Sequence, residues 1–384
     1  MNEPYKLPDG WKWVRLGEVC EIIMGQSPPS STYTSKPEGI PFFQGKADFG
    51  EYYPKVRIWC IKPIKIAEEG DILISVRAPV GPVNMCNIKC SIGRGLAAIR
   101  CKDDPVNWYI FWHLKSVEKR IASLGSGSTF GAITLDDLIN LQIPLPPLSE
   151  QKRIVEKIKT LMDDIEKAKN ACKKQIEAAE ALFSAYLHQI FESEEAKKWE
   201  RKKLGEVCEI IKGKKPILYD IPPDKKSLPY LTAEFIRTSK QPQWCLESDK
   251  NSVIVNEDEI IIIADGSNSG EIFTGYRGIL ASTMGKLAID ENKIIKDYIY
   301  FFIKMNFNNL NGPKRGSAIP HLEKEIFYNL LIPIPSLETQ QRIVNYLKEK
   351  FAYMENLKSK INDLKSTIDA LPQSILKKAF KGEL

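Results

Sequence analysis

Leu16-Gly17-Glu18-Val19-Cys20-Glu21-Ile22-Ile23 returns unchanged as Leu204-Gly205-Glu206-Val207-Cys208-Glu209-Ile210-Ile211, 188 residues later. A tryptophan leads each copy, Trp11 or Trp13 in one and Trp199 in the other. Further blocks keep the spacing to within a residue. Ile143-Pro144-Leu145-Pro146-Pro147-Leu148 pairs with Ile332-Pro333-Ile334-Pro335-Ser336-Leu337, and Gln151, Arg153, Ile154 and Val155 pair with Gln340, Arg342, Ile343 and Val344. Weaker echoes are Pro41 with Pro229, Ile72-Leu73-Ile74 with Ile260-Ile261-Ile262, Tyr109-Ile110 with Tyr298-Ile299, and Leu182, Leu187 and Phe191 with Leu371, Leu376 and Phe380. The period is far longer than that of a solenoid. The chain is a tandem duplication of a whole unit. The ends of the two copies are alike, whereas the middles, about 25–135 and 213–325, differ strongly. A scaffold has been kept and its payload varied.

Each copy reads as a globule followed by a long helix. Short apolar strands such as Asp71-Ile72-Leu73-Ile74-Ser75 and Glu259-Ile260-Ile261-Ile262-Ile263 sit between Gly, Pro and Asn turns. Gly-rich loops follow the first strand, at Arg77-Ala78-Pro79-Val80-Gly81, Ile92-Gly93-Arg94-Gly95 and Gly125-Ser126-Gly127-Ser128-Thr129. A helix is expected near Pro105 to Leu124, with its counterpart near Lys296 to Leu310. The proline run 144–147 must end the extended segment, since proline tolerates helix starts and resists helix interiors. Ser149 is the expected N-cap.

Apolar residues then recur at Ile154, Ile158, Leu161, Ile165, Ala168, Cys172, Ala179, Leu182, Tyr186 and Ile190. The second copy gives Ile343, Leu347, Phe351, Met354, Leu357, Ile361, Leu364, Ile368, Leu371 and Ile375. Steps of mostly three and four are a coiled-coil seam. About 40 helical residues span roughly 60 Å. The two helices, about 149–193 and 338–381, are expected to pair antiparallel, and Pro372 to kink or restart the second. The fold class is therefore α+β: two α/β globules separated by two long antiparallel helices in a pseudo-two-fold tandem repeat. The expected boundaries are 1–147 and 196–336 for the globules, and 148–195 and 337–384 for the helices.

The chain has 384 residues, 43% of them hydrophobic and 27% charged, which suits globular cores and argues against global disorder. There is no run of about 18 apolar residues, so no membrane span is expected. The polar start from Met1 to Gly10, with Pro8, does not read as a signal peptide, and a cytoplasmic location is expected. Lys and Arg number 55 against 49 Asp and Glu, a net charge of +6 that permits nucleic-acid binding through local patches without demanding it. Of the eight cysteines, Cys86, Cys90 and Cys101 come closest to a cluster, with His113 the one histidine near them. Zinc wants four ligands, so these read as small buried apolar thiols and no metal site is expected. With three histidines, no Gly-x-x-x-x-Gly-Lys-Ser/Thr loop and no Asn-Pro-Pro-Tyr tetrad, catalysis is poorly supported. The acidic pairs Asp103-Asp104 and Asp136-Asp137 read as loop or helix-start charges.

At this point the sequence resembles the specificity subunit of type I restriction-modification systems, along essentially the whole chain. The resemblance rests on the Leu16-Gly17-Glu18-Val19 opening, on Gly70-Asp71-Ile72-Leu73-Ile74-Ser75-Val76-Arg77-Ala78-Pro79-Val80-Gly81, and on Ile92-Gly93-Arg94-Gly95-Leu96-Ala97-Ala98. It continues in Ile143 to Gln151 and in the ending Leu376-Lys377-Lys378-Ala379-Phe380-Lys381-Gly382-Glu383-Leu384. It implies two target recognition domains, each reading half of a split, asymmetric double-stranded DNA sequence. It also implies that the helices set the gap between the halves and dock two methylation subunits, which restriction subunits join. S-adenosylmethionine, ATP and Mg would be used by those partners, and no cofactor by this chain. The second copy departs from the first, with Ala264-Asp265-Gly266-Ser267-Asn268 where Val76-Arg77-Ala78-Pro79 stood, so the halves should read different sequences.

The residues themselves offer the matching chemistry. Phosphate contacts need Lys, Arg and backbone N–H groups, and base reading needs Arg, Lys, Asn or Gln on a rigid support. In the first globule the candidates are Gln44, Lys46, Arg77, Arg94, Ser128 and Thr129. In the second they are Lys214, Lys215, Arg237, Asn268, Lys286, Lys314 and Arg315, with Lys212 beside them. Arg77 and Lys46 rank highest, because each lies in a tight apolar–Gly loop where a charge needs a reason. Two other readings stay open on the sequence: a self-contained DNA methyltransferase or nuclease, and a coiled-coil scaffold that binds proteins only.

Overall fold

The computed structural model describes residues 5–101, 104–125, 131–238, 240–311 and 321–384. The chain forms two compact units. One comprises residues up to Cys172 together with Asp363–Leu384, and the other Lys173–Asn362. Each unit thus holds one globule and a portion of each long helix.

In the first unit, strand Cys20–Met24 pairs antiparallel with Leu96–Cys101, which pairs in turn with Ile72–Ser75 and through it with Val83–Met85. A five-stranded sheet lies beside it, in the order Tyr33–Thr34, Trp59–Cys60, Ile40–Phe43, Cys90–Ile92, Ile66–Ala67. Phe43, Leu73, Cys86, Cys90, Ile92, Leu96 and Ala98 form one buried core between them. Strand Lys12–Arg15 pairs with Gln142–Leu145, which ties the start of the globule to the segment that launches the helix.

The second unit repeats this plan. Cys208–Lys212, Met284–Ile289, Ile261–Ile263 and Ile272–Phe273 make the four-stranded sheet, and Glu200–Lys203 pairs with Leu331–Ile334. The expected helices near 105–124 and 296–310 are each broken at the same repeat position, Val117 and Asn306. They are Asp104–Ser116 with Glu118–Leu124, and Lys296–Met305 with Phe307–Leu310.

The two long helices run Leu148–Phe191 and Leu337–Ala379. Within the first unit Arg153 reaches the Leu384 carbonyl and Lys169 pairs with Asp369. Within the second, Glu180 pairs with Lys358, Phe183 meets Phe351, and Tyr186 meets Tyr346. In both, rising numbers on one helix meet falling numbers on the other, so the helices pair antiparallel.

The repeated residues anchor these helices. Gln151 donates from Nε2 to the Pro146 carbonyl at 2.9 Å, and Gln340 to the Pro335 carbonyl at 3.0 Å. The Tyr109 hydroxyl donates to the Pro144 carbonyl and that of Tyr298 to the Pro333 carbonyl. Phe380 packs on Tyr109 and His113 in one unit, and Phe191 on Tyr298 and Phe302 in the other.

Three details differ from the sequence expectations. Ser149 is not the N-cap: the helix starts at Leu148, and the Pro147 carbonyl accepts the Glu150 and Gln151 N–H groups. The side-chain cap stands in the second copy, where Ser336 Oγ accepts the Thr339 N–H at 3.3 Å. Pro372 does not restart its helix, which continues to Ala379. The Ile368 carbonyl loses its helical donor, and burial of Leu376, Ala379 and Phe380 offsets the loss. Finally, part of the apolar seam faces outward. Leu364 and Leu371 in the first unit, and Leu182 and Leu357 in the second, stay between 36% and 52% exposed. A helix pair covers a single stripe on each partner, and these leucines lie beside it.

All eight cysteines are buried and unbridged, but not as one cluster. Cys101 faces Cys20 across the sheet, and Cys86 faces Cys90. Among the described residues no group of His, Cys, Asp and Glu has a metal-binding arrangement.

Candidate nucleic-acid interface

In the first unit the loops that leave the two sheets converge. A cleft of about 290 Å³ is lined by Ser27, Gln44, Gly45, Lys46, Ser75, Arg77, Ala78, Arg94 and Gly95. Gln44, Lys46, Arg77 and Arg94, which lie up to 50 residues apart in the chain, come together here and are all exposed. Among the described residues, none of the three cations has an acidic partner within 4 Å.

Hydrogen bonds fix the three loops to one another. The Val76 N–H donates to the Gly95 carbonyl at 2.9 Å, and the Gly93 N–H to the Phe43 carbonyl at 2.8 Å. The Arg94 N–H donates to Ser27 Oγ at 3.2 Å. Gly95 is required by proximity, since a Cβ there would stand 2.3 Å from the Gln44 carbonyl. The loop carrying Gln44 and Lys46 is pinned by Asp48, which is 6% exposed. Its carboxylate accepts the Gln44 N–H at 2.7 Å and the Arg57 guanidinium. Asp48 was not among the sequence candidates. Its signal was an acid three residues after a Gly in a loop, the spacing of a local side-chain cap.

The second unit preserves the frame and changes the charges. The matching hydrogen bonds are Ala264 N–H to the Thr283 carbonyl at 2.9 Å and Ala281 N–H to the Leu231 carbonyl at 3.1 Å. On that register Asp265 stands where Arg77 stood, Glu234 where Lys46 stood, and Ser282 where Arg94 stood. The positive charge moves to the loop after strand Cys208–Lys212, where Lys214 and Lys215 are exposed. Lys212 Nζ and His321 Nδ1 each lie 2.7 Å from the Asp265 carboxylate. Burial works against the charge of Asp265, yet the Lys212 and His321 hydrogen bonds hold its carboxyl below the ordinary carboxylate range.

The other candidates are placed as follows. Arg237 pairs with Glu271, and Asn268 donates to the same carboxylate at 3.3 Å. Lys286 lies within the sheet and pairs with Glu259 at 2.7 Å. Ser128, Thr129, Lys314 and Arg315 lie outside the described residues.

The two α/β units share one frame, differ in their loops, and each packs with its own portion of the two long helices, which defines a duplicated modular architecture. Residues 8–177 and 196–366 each match the type I restriction modification DNA specificity domain, and the chain belongs to that family. A Methanocaldococcus jannaschii protein provisionally named the MjaX type I restriction enzyme specificity subunit is 48% identical over 181 residues. That alignment covers 46% of this chain and 42% of the relative, so it reaches less than half of the relative's length. The type I restriction enzyme MjaIX specificity subunit of the same organism is 22% identical over 416 residues, covering 99% of this chain and 94% of that one. A chain solved in work on complex assembly and conformational transition of a type I R-M system superposes with a TM-score of 0.72. It is 24% identical and covers 99% of this chain and 100% of its own, a likeness of fold. Among the described residues no helix is long and apolar enough to cross a membrane.

Proposed function

We propose that this chain is the DNA-recognition subunit of a type I restriction-modification complex, itself without catalytic activity, and that each unit reads one half of a bipartite asymmetric target. The observation that carries the reading is the convergence of Gln44, Lys46, Arg77 and Arg94 on one cleft, the three cations having no acidic partner within 4 Å among the described residues. Unpaired cations on a rigid support suit phosphates and guanine edges, and an Arg there can make both donor contacts that guanine's O6 and N7 accept. The globules 1–147 and 196–336 carry the reading, and the helices 148–195 and 337–384 space the halves. The exposed Leu182, Leu357, Leu364 and Leu371 suit the apolar face of partner helices. Two methylation subunits are the partners assigned to them, with restriction subunits joining the complex. S-adenosylmethionine, ATP and Mg belong to those partners, and the complex works in the cytoplasm.

The test is duplex binding by the chain assembled with its methylation subunits, measured across salt. Affinity should fall steeply and log-linearly with salt, and methylome sequencing of cells expressing the complex should return a split motif. Salt-independent or absent duplex binding, with no split motif, would refute the reading.

A further inference from the structure

Resting on that DNA-reading function, we propose that Lys212, Asp265 and His321 form the base-reading element of the second unit and that it reads adenine, where Arg77 in the first unit reads guanine. The argument begins with position. Asp265 occupies the frame site of Arg77, held by its own N–H to the Thr283 carbonyl at 3.0 Å and by a strand-like bridge to His321. The Asp265 side chain is only 17% exposed, whereas Lys212 is 47% and His321 59% exposed. The acid therefore acts as the positioning residue, and the two bases of the cluster face outward.

Chemistry then fixes what the outward atoms offer. An ionised carboxylate only accepts hydrogen bonds, so the neutral His321 ring that adenine reading requires carries its proton on Nδ1. That leaves the lone pair of Nε2 turned away from Asp265. Lys212 has three N–H donors and spends one on Asp265. The cluster thus sets a donor beside an acceptor. Adenine shows the complement in the major groove, the N7 acceptor beside the N6 amino donor. Guanine shows two acceptors there and would meet the Nε2 lone pair with its own. The substitution of Arg77 by an acid-held Lys/His pair is thus a change of the base read, at one site of one scaffold.

The experiment is methylome sequencing of cells expressing Asp265→Asn, His321→Ala or Arg77→Ala chains with their methylation subunits. Arg77→Ala identifies the half-site of the first unit, and the other half belongs to the second. Asp265→Asn frees the ring to carry its proton on Nε2. It should relax one adenine position of the second half-site by about tenfold or more, and leave the first half-site intact. His321→Ala removes an exposed side chain, leaves the core untouched and should relax the same position. An unchanged motif in both variants, or a relaxed position that is guanine, would overturn the inference while an altered first half-site in Arg77→Ala leaves the DNA-reading function standing. If Arg77→Ala also leaves the motif unchanged, the DNA-reading function fails with it. A uniform loss across the second half-site would show a merely structural role for Asp265 and overturn the inference as well.

Discussion

The two units are alike where they are buried and opposed where they are exposed. Val76 and Ala264 make the same hydrogen bond, as do Gly93 and Ala281, and the tyrosines Tyr109 and Tyr298 hold matching proline carbonyls. At the cleft positions carried by that frame, Arg77, Lys46 and Arg94 give way to Asp265, Glu234 and Ser282. Frame positions touch many neighbours, so a change there disturbs a packed core. An exposed position such as Arg77 touches little, so its charge can change with little cost to the fold. That separation is what lets one scaffold address two different sequences.

The comparison breaks most visibly if the first tip is given the second tip's charge. Arg77→Asp removes the paired donors offered to guanine and brings a carboxylate toward phosphate. Target affinity should fall at least about 100-fold. Thermal stability should stay within about 2 °C, because Arg77 is exposed and makes no ion pair among the described residues. Fluorescence anisotropy on the methylation complex reads the first effect and a thermal melt the second. A loss below about threefold would show that Arg77 is not a principal contact of the site.

A buried difference gives a pH-dependent effect of intermediate size. His113 lies beneath Phe380, where the second unit has Phe302 beneath Phe191. Burial is the main cause that pushes the ring's pKa down, to about 3. A His depressed in the folded state is neutral there, while the unfolded chain takes up a proton below about pH 6.5. The penalty is absent above that pH, grows as pH falls, and levels off below the folded value. At pH 5 it is about 2 kcal/mol. His113→Phe, importing the second unit's residue, should flatten the acid side of the stability curve by that amount and leave pH 8 nearly unchanged. Denaturant titrations at the two pH values measure it, and parallel curves for variant and parent would show that His113 protonates freely in the fold.

Most of the frame was legible in the sequence because duplication writes each structural requirement twice. The proline runs, Gln151 and Gln340, and the launch of both long helices could be read from matched residues. Arg77 and Lys46 could be picked out because charges in tight glycine loops are rarely there for packing, and Gln44 and Arg94 because base and phosphate contacts need such side chains. Asp48 escaped, since its work is done through backbone N–H groups that no motif displays. So did the outward-facing leucines: periodicity tells which residues share a stripe, not how much of the stripe a partner covers. The Ser149 cap failed for a local reason, since Pro147 had already placed a carbonyl at the helix start.

Asp48 sharpens the contrast further, because the second unit has no acid at that step of its frame, where Ile236 stands instead. Asp48→Ala strands the Gln44 N–H and frees Arg57, whose side chain is 56% exposed and can turn to water. The expected cost is about 1–2 kcal/mol to the first unit, with a several-fold drop in DNA affinity as the loop loosens. Ile236→Ala should weaken the second unit through lost packing and leave the first half-site alone. Urea melts and anisotropy separate the two.

The smallest effect tests the symmetry of the helices. Lys169 pairs with Asp369 and Lys358 with Glu180, each at 2.7 Å, and the repeat maps one pair onto the other. Both pairs are partly exposed, so each should contribute little and be screened by salt. Lys169→Ala and Lys358→Ala should each lower Tm by no more than about 2 °C at low ionic strength, and by less in salt. Lys358 also lies 3.7 Å from Glu355, and although burial works against its charge, Glu180 and Glu355 together raise its pKa, so its removal should cost the more of the two. The pair with Asp369 fails in acid: the Lys169 contact lowers the Asp369 pKa, so its contribution is present above the ordinary carboxylate pKa and lost as pH falls through the lowered one. Matched small losses that vanish in salt would mark the two ends of the helix pair as equivalent supports, with the difference between the units confined to their loops. A large, salt-insensitive loss at one end alone would mean that the helices, too, have diverged, and that the scaffold is less neutral toward its payload than the shared hydrogen bonds imply.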